Sequence, residues 1–86
     1  MRPYRTVFNR PVLEFVADAD DDAFAEIEQW VNGIERAPST PGDYTEEDED
    51  RRELQVVVLP RVAIAYWPDH ATREVRVARL ESNREG

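Results

Sequence analysis

The segment Arg52–Leu80, RELQVVVLPRVAIAYWPDHATREVRVARL, decides the fold of this chain. It divides into three apolar runs, separated by the dipeptide LP at 59–60 and by the turn sequence PDHAT at 68–72. Apolar side chains alternate with other residues along each run, which is the period of a β-strand with one buried face. The β-branched and aromatic content suits a half-buried pleated surface. The segment therefore predicts a meander of three antiparallel strands.

The alternation also predicts which side chains share a face of this meander. The face that packs against the rest of the domain is predicted to carry Leu54, Val56, Ile64 and Val75. The opposite face, called the outer face below, is predicted to carry Val57, Leu59, Ala63, Ala65, Trp67 and Leu80. One helix cannot cover both sides of a sheet, so an apolar outer face indicates an interface. The predicted partner-binding residues are Val57, Ala63, Ala65 and Trp67.

Length and composition limit the class of protein. Eighty-six residues predict one domain, residues 1–86, with a small core. The chain has no cysteine, no apolar run of signal-peptide length and none that could span a bilayer. We therefore expect a cytoplasmic protein without disulfides and without a membrane partner.

The charge is unusual, because the net charge is −8 and all eleven basic residues are arginine. A GC-rich genome and adaptation to salt both account for this composition, and both interpretations stay open. Phosphate contacts need clustered cations. The acidity therefore predicts only weak direct binding to nucleic acid.

The amino-terminal half predicts one short edge segment, one strand and one helix. Residues 4–9 lie between two prolines and can form only a short edge segment. We expect the first full strand at Val12–Ala17, VLEFVA. The acids at 18–22 suit the first turn of a helix, which is predicted over Asp21–Glu35. Its apolar stripe at three- and four-residue steps consists of Phe24, Ile27, Val31 and Ile34.

Residues 37–51, APSTPGDYTEEDEDR, are predicted to form an acidic loop. It is a solvated surface segment, or else it serves as a mimic of nucleic-acid phosphates or as a contact for a basic partner. The resulting order is β-α-loop-β-β-β. This predicts a two-layer α+β domain, with one main helix packed on an antiparallel sheet.

This order, with the patterns RxLxVxV, xYWxD and REVRVxxL, resembles the RelE/ParE superfamily of toxins from toxin–antitoxin modules. The residues that carry the resemblance are Arg52, Leu54, Val56, Ile64, Tyr66, Trp67, Val75 and Val77. It implies a toxin that cleaves messenger RNA in the ribosome or inhibits DNA gyrase. It also implies a cognate antitoxin that wraps around the sheet and helix.

The chain departs from the usual pattern of that superfamily in four respects. Its members are usually basic and usually carry a pair of helices, whereas this chain is acidic and only one helix is predicted. They often have an arginine three residues before the tyrosine of the middle meander strand, where this chain has Ala63. Residues 81–86 contain neither an aromatic residue nor a histidine. The resemblance therefore predicts a toxin-like chain, and these departures leave open whether it is active or catalytically degenerate.

Cleavage of RNA without a metal requires a group that accepts the 2′-hydroxyl proton and a group that stabilises the phosphorane. The predicted catalytic residues are Arg61, Arg76 and Tyr66, because arginines on adjacent strands can hold a phosphate. Further candidates are Arg52, Arg79, Arg84 and His70. The alternative is that the arginines form surface ion pairs and His70 is an exposed turn residue. No metal-ligand or nucleotide-binding motif occurs, so we expect no metal and no cofactor.

A second hypothesis needs no catalysis. The chain would be an acidic interaction module, or a homodimer formed by self-association. In both cases the outer face would bind the protein partner.

Overall fold

A computed structural model describes residues 3–83. The elements are, in order, β1 (Arg5–Phe8), α1 (Arg10–Asp18), α2 (Asp21–Arg36), β2 (Tyr44–Glu47), β3 (Glu53–Val58), β4 (Val62–Asp69) and β5 (Glu74–Ser82). Over this range five strands form one sheet in the order β1-β5-β4-β3-β2. The β1–β5 pair is parallel and the other pairs are antiparallel. Side chains of α1 and α2 pack on one face of this sheet, which confirms the predicted α+β class and the meander.

The segment predicted as the first strand, Val12–Ala17, is helical and lies within α1. The side chain of Asn9 caps this helix by accepting a hydrogen bond from the backbone N–H of Val12 at 3.0 Å. Pro11 suits the first turn, where its missing N–H costs nothing. The prediction of a strand was wrong because a mostly apolar run of six residues fits both the two-residue period of a strand and the 3.6-residue period of a helix. Residues 3–83 therefore contain a pair of helices, whereas the sequence predicted only one.

The second helix agrees with its prediction within one residue. Asp20 caps α2 by accepting a hydrogen bond from the N–H of Ala23 at 2.8 Å. Ile27 and Ile34 are buried, but Phe24 is 45% exposed, so its predicted place in the core was wrong. At 3.6 residues per turn, Phe24 lies about 80° around the helix from Ile34. It therefore lies at the margin of the apolar stripe.

The predicted acidic loop, residues 37–51, contains a short strand. β2 lies at the edge of the sheet and pairs with β3, where Tyr44 is opposite Val56 and Glu46 is opposite Leu54. Charged side chains are tolerated on an edge strand. The carboxylate of Asp48 accepts hydrogen bonds from two backbone N–H groups of the turn into β3. Asp43 accepts a further backbone hydrogen bond, from the N–H of Val58 at 2.7 Å, so at least two acids of this segment have structural roles that composition does not reveal.

The helix side of the sheet holds the larger core. Its buried members are Val12, Ile27, Ile34, Val62, Ile64, Tyr66, Val75, Val77 and Leu80. Ile64 and Val75 lie on this face as predicted. No helix among residues 3–83 is both long and apolar enough to cross a membrane.

The face assignment of β3 was wrong by one residue. Val57 lies opposite Ile64 in the β3–β4 register, so the two share the helix side. Val57 and Leu59 therefore pack against the larger core, whereas Leu54 and Val56 lie on the outer face. The run VVVL is apolar at every position, so alternation cannot decide which residues face the helices.

A bulge explains the wrong assignment of Leu80. The β4–β5 register shifts between Ala65 and Tyr66, which leaves Ala78 as the extra residue on β5. Beyond this point the alternation of β5 is reversed. Leu80 therefore lies opposite Ile64 and belongs to the helix-side core instead of the outer face.

Candidate functional site: the outer face of the sheet

The outer face carries a small apolar cluster. Leu54, Val56 and Ala65 are each no more than 2% exposed, and Trp67 and Ala78 pack beside them. In the part of the chain that the structure describes, neither helix contributes a side chain to this cluster. The burial must therefore come from longer side chains of the same face, which fold over the cluster.

Three of the predicted partner-binding residues lie on this face. Ala65 and Trp67 belong to its cluster, and Ala63 follows by strand alternation. Val57 does not lie there, which corrects the prediction. It lines a cavity of about 300 Å³ on the helix side, together with Trp30, Gly33, Ile34, Thr40, Pro41 and Tyr66.

Two arginines bind the ring of Trp67. The guanidinium carbon of Arg52 lies 4.2 Å from the ring centroid, and that of Arg76 lies 5.9 Å away. Arg76 is opposite Trp67 in the β4–β5 register, while Arg52 comes from the turn before β3. Cation–π contacts of this kind hold a guanidinium in place over the indole.

A third arginine spans the face. Arg79 of β5 is opposite Ala65 of β4, and its guanidinium donates hydrogen bonds to Glu81 at 2.8 Å and to Glu46 of β2. β5 and β2 are separated by β4 and β3. The Arg79–Glu46 ion pair thus extends across the two intervening strands, β4 and β3. The hydrogen bond that Arg79 donates to the Glu46 carboxylate raises the pKa of Arg79, against the opposing effect of desolvation.

Carboxylates also bind the other two arginines. Arg52 lies 3.7 Å from Asp48. Arg76 lies 3.1 Å from Asp69 and 2.8 Å from Glu74. Desolvation raises the pKa of Asp69, but hydrogen bonds from Arg76 and Thr72 outweigh it and hold that pKa below its ordinary value. The outer face therefore presents guanidinium groups that are already neutralised.

The structure does not bring the three predicted catalytic residues together. Arg76 lies on the outer face, whereas Tyr66 is buried on the helix side and donates a hydrogen bond to the carbonyl oxygen of Thr40 at 2.8 Å. Arg61 lies in the β3–β4 turn, six residues from Trp67 along β4. At about 3.3 Å per residue it is about 20 Å from the neighbourhood of Arg76.

The surroundings of Arg61 are acidic. Its guanidinium lies 3.4 Å from Asp22 and 3.8 Å from Glu26. It also lines a cavity of about 720 Å³ with Asp18 and Asp20. Carboxylates repel a phosphate, so this cavity is a poor site for nucleic acid.

The remaining candidates occupy other places. His70 is exposed, and its Nδ1 atom forms a hydrogen bond with the hydroxyl of Tyr4. Arg84 lies outside the described residues. Arg52 and Arg79 were candidates in the sequence, but the pattern did not group them with Arg76, because that grouping depends on the strand register and the bulge. Among residues 3–83, no cluster of His, Cys, Asp or Glu could hold a metal ion.

Comparisons with known proteins identify the fold. No protein-family model matches the sequence, and no curated protein matches it. The structure is similar to a chain of the RelBE2 toxin–antitoxin complex of Mycobacterium tuberculosis, with TM-score 0.74 and 13% identity over 99% of this chain and 97% of that chain. It is also similar to a chain of the archaeal RelE–RelB complex of Pyrococcus horikoshii, with TM-score 0.77 and 11% identity over 99% and 100% of the two chains. The chain therefore shares its fold with one chain of each of these RelB–RelE complexes.

Proposed function

We propose that this chain is the toxin component of a toxin–antitoxin pair and acts in the cytoplasm. The observation that carries the proposal is the extent of the structural similarity. It covers 97% or more of both chains in each comparison, and both similar chains come from RelB–RelE complexes. Fold alone does not establish activity, so the remaining support comes from the outer face.

The outer face supports an action on RNA. Arg52 and Arg76 flank Trp67, and Arg79 lies on the same face. Guanidinium groups bind phosphates in a bidentate geometry and stabilise the charge of a phosphorane. Aromatic side chains stack on bases of single-stranded RNA, and Trp67 is only partly buried. We propose ribosome-bound messenger RNA as the substrate, with Arg76 retained from the sequence prediction and joined by Arg52 and Arg79.

The same face supports a cognate antitoxin as the partner. Tyr44 and Val58 are 53% and 44% exposed and lie on this face, opposite Val56 and Ala63 respectively, and Trp67 lies at the margin of the buried cluster. Apolar centres with charged rims are typical of protein interfaces. A segment that covered this face would also cover the arginines, so binding of the antitoxin would block access of RNA.

The test of toxicity is induced expression in a bacterial host without any antitoxin. We expect growth arrest and new 5′ ends in messenger RNA, mapped by primer extension. Arg76→Ala should relieve the arrest, whereas Arg10→Ala should not, because Arg10 is an exposed residue at the start of α1. Normal growth with intact messenger RNA would contradict the proposed action on RNA.

Inhibition of DNA gyrase is the other activity of this superfamily and needs its own assay. Purified protein would be added to a supercoiling reaction with gyrase. Growth arrest with intact messenger RNA and blocked supercoiling would indicate that the chain inhibits gyrase and does not cleave RNA. The proposal that it is a toxin would be unaffected.

A second candidate function is a non-enzymatic interaction module. The observation in its favour is that carboxylates pair with all three outer-face arginines named above, in a chain of net charge −8. Such a face suits a protein better than a nucleic acid. Harmless expression, together with binding to the product of a neighbouring gene that Trp67→Ala abolishes, would favour this function. A stable homodimer in light scattering would favour self-association.

A further inference from the structure

The ion pair between Arg79 and Glu46 has an unusual path. In the register, Arg79 lies opposite Ala65, Ala65 opposite Val56 and Val56 opposite Tyr44, so this row crosses four strands. Glu46 lies two residues beyond Tyr44 on the same face. The two side chains can meet only by extending over β4 and β3. The methyl group of Ala65 leaves space for this path.

The bridge accounts for the closure of the outer face. Leu54, Val56 and Ala65 are buried although no described helix residue covers them. Arg79 and Glu46 join the two sides of this cluster, and their side chains remain 43% and 35% exposed. The ion pair is thus a partly exposed layer above an apolar base, at the place where a ligand would lie against the face.

We propose that Glu46 is an internal competitor for an anion site formed by Arg79. Its carboxylate occupies the position that a phosphodiester group of single-stranded RNA would take, and RNA binds only when this carboxylate is displaced. The inference rests on the proposed function for the identity of the anion. It adds a regulatory residue that the function itself does not require.

Glu81 and Glu46 both bind Arg79, but they differ in what must move when the carboxylate is displaced. Glu81 lies two residues away on the same strand and can rotate aside without changing the sheet. Glu46 belongs to β2, a strand of four residues at the sheet edge. Short edge strands open at low cost. Displacement of Glu46 is therefore coupled to the opening of the face.

The strength of the competitor sets the size of the expected effect. Ion pairs exposed to this degree contribute little to stability, because solvent screens them. Removal of the carboxylate should therefore strengthen binding of an anion by about three- to fivefold and not by orders of magnitude. The wild-type chain should bind RNA weakly but measurably at low salt.

The experiment compares Glu46→Gln with Glu47→Gln. Both changes remove one negative charge from adjacent residues of β2, but alternation places Glu47 on the opposite face. Binding of a fluorescein-labelled single-stranded RNA decamer is followed by anisotropy at low salt. We expect about three- to fivefold tighter binding for Glu46→Gln and less than twofold for Glu47→Gln. In an Arg79→Ala background, Glu46→Gln should give no gain.

Competition with inorganic phosphate identifies the anion. Phosphate that displaces the decamer at millimolar concentration would indicate a site for free phosphate and overturn the assignment to RNA. Equal gains for the two glutamate variants would indicate a general effect of net charge, and no gain for Glu46→Gln would show that Glu46 does not compete. Both results would overturn the proposal.

The outcomes for the proposed function are separate. Growth arrest by the wild-type chain, combined with unchanged RNA binding by Glu46→Gln, would reject Glu46 as a competitor and leave the toxin function supported. Tighter RNA binding by Glu46→Gln, without growth arrest by the wild-type chain, would support the anion site at Arg79 and reject the toxin function. Circular dichroism of each variant checks that the fold is intact.

Discussion

Glu26 of α2 accepts a hydrogen bond from the backbone N–H of Arg61 at 3.0 Å, and the same carboxylate lies 3.8 Å from the guanidinium of Arg61. One side chain of the helix thus holds both the main chain and the side chain of the β3–β4 turn. Arg61 therefore has a structural partner on the helix side and lies far from the arginines of the outer face.

This contact predicts that Arg61→Ala and Arg76→Ala differ in effect. The backbone hydrogen bond survives Arg61→Ala, and the lost ion pairs are exposed, so the free energy of unfolding should fall by less than about 1 kcal/mol. Growth arrest should persist in Arg61→Ala and be relieved in Arg76→Ala. Urea unfolding and growth curves measure the two effects. Relief of arrest by a stably folded Arg61→Ala variant would place the active surface at the β3–β4 turn instead.

The helix-side core predicts a large effect of Ile27→Ala. Ile27 is 3% exposed and belongs to the cluster of Ile64 and Val75. Large-to-small changes in a core cost about 2–5 kcal/mol, a large fraction of the stability of a small domain. Leu13→Ala is the matched control, because Leu13 of α1 is 53% exposed. Thermal melting should show a large loss for Ile27→Ala and little change for Leu13→Ala, and equal losses would contradict the assigned helix faces.

Two glycines predict opposite effects of a methyl group. A Cβ atom at Gly33 in α2 would meet no atom within 4 Å, whereas one at Gly42 would lie 2.5 Å from the carbonyl oxygen of Val56. Gly33→Ala should raise the free energy of unfolding by about 0.5–1 kcal/mol, because alanine loses less entropy in a helix. Gly42→Ala should lower it, because the backbone of β3 would have to move. Chemical denaturation of the two variants tests both signs, and stabilisation by Gly42→Ala would show that the close approach is absent.

Tyr66 predicts a loss of stability in alkali. Burial, and secondarily the charge of Asp43, raise the pKa of its phenol above the ordinary value of 10.0. The folded state therefore disfavours the phenolate. The neutral phenol thus contributes to the free energy of unfolding. This stabilising contribution is fully present below about pH 10 and is lost as the pH rises through the folded pKa.

Tyr66→Phe isolates this effect. The stability of the wild-type chain should decline above about pH 10 more steeply than that of the variant. At neutral pH the variant should lose about 0.5–1.5 kcal/mol, the usual contribution of one hydrogen bond. Denaturant unfolding across the pH range measures the difference. Parallel stability curves for the two proteins would show that Tyr66 ionises freely in the folded state.

Much of the fold could be predicted from local signals. Helix α2 followed from the capping acids and the spacing of Ile27 and Ile34, and the meander followed from alternation at residues 52–80. Both signals depend on residues close together in the chain. The strand predicted at Val12–Ala17 failed because a short apolar run fits both periods, and the cap at Asn9 was the signal that could have decided it.

The candidate site was less accessible to sequence reasoning. Trp67 and Arg76 were correctly placed on the outer face, but their association with Arg52 and Arg79 was not foreseen. Glu46, one of the two carboxylates bound to Arg79, is 33 residues away in the chain, on a strand that was predicted to be loop. No local pattern specifies such a distance, because the pairing of β2 with β3 depends on backbone hydrogen bonds that every sequence can form.

The sequence by itself determined the class of fold, the second helix, the three meander strands and the acidity that opposes binding of nucleic acid. These depend on periodicity, capping and charge, which are properties of neighbouring residues or of composition. Only the tertiary structure decided which side of β3 faces the helices, where Leu80 lies and which arginines lie together. A shift of one residue in register, or one bulge at Ala78, exchanges the two faces of a strand without changing its sequence.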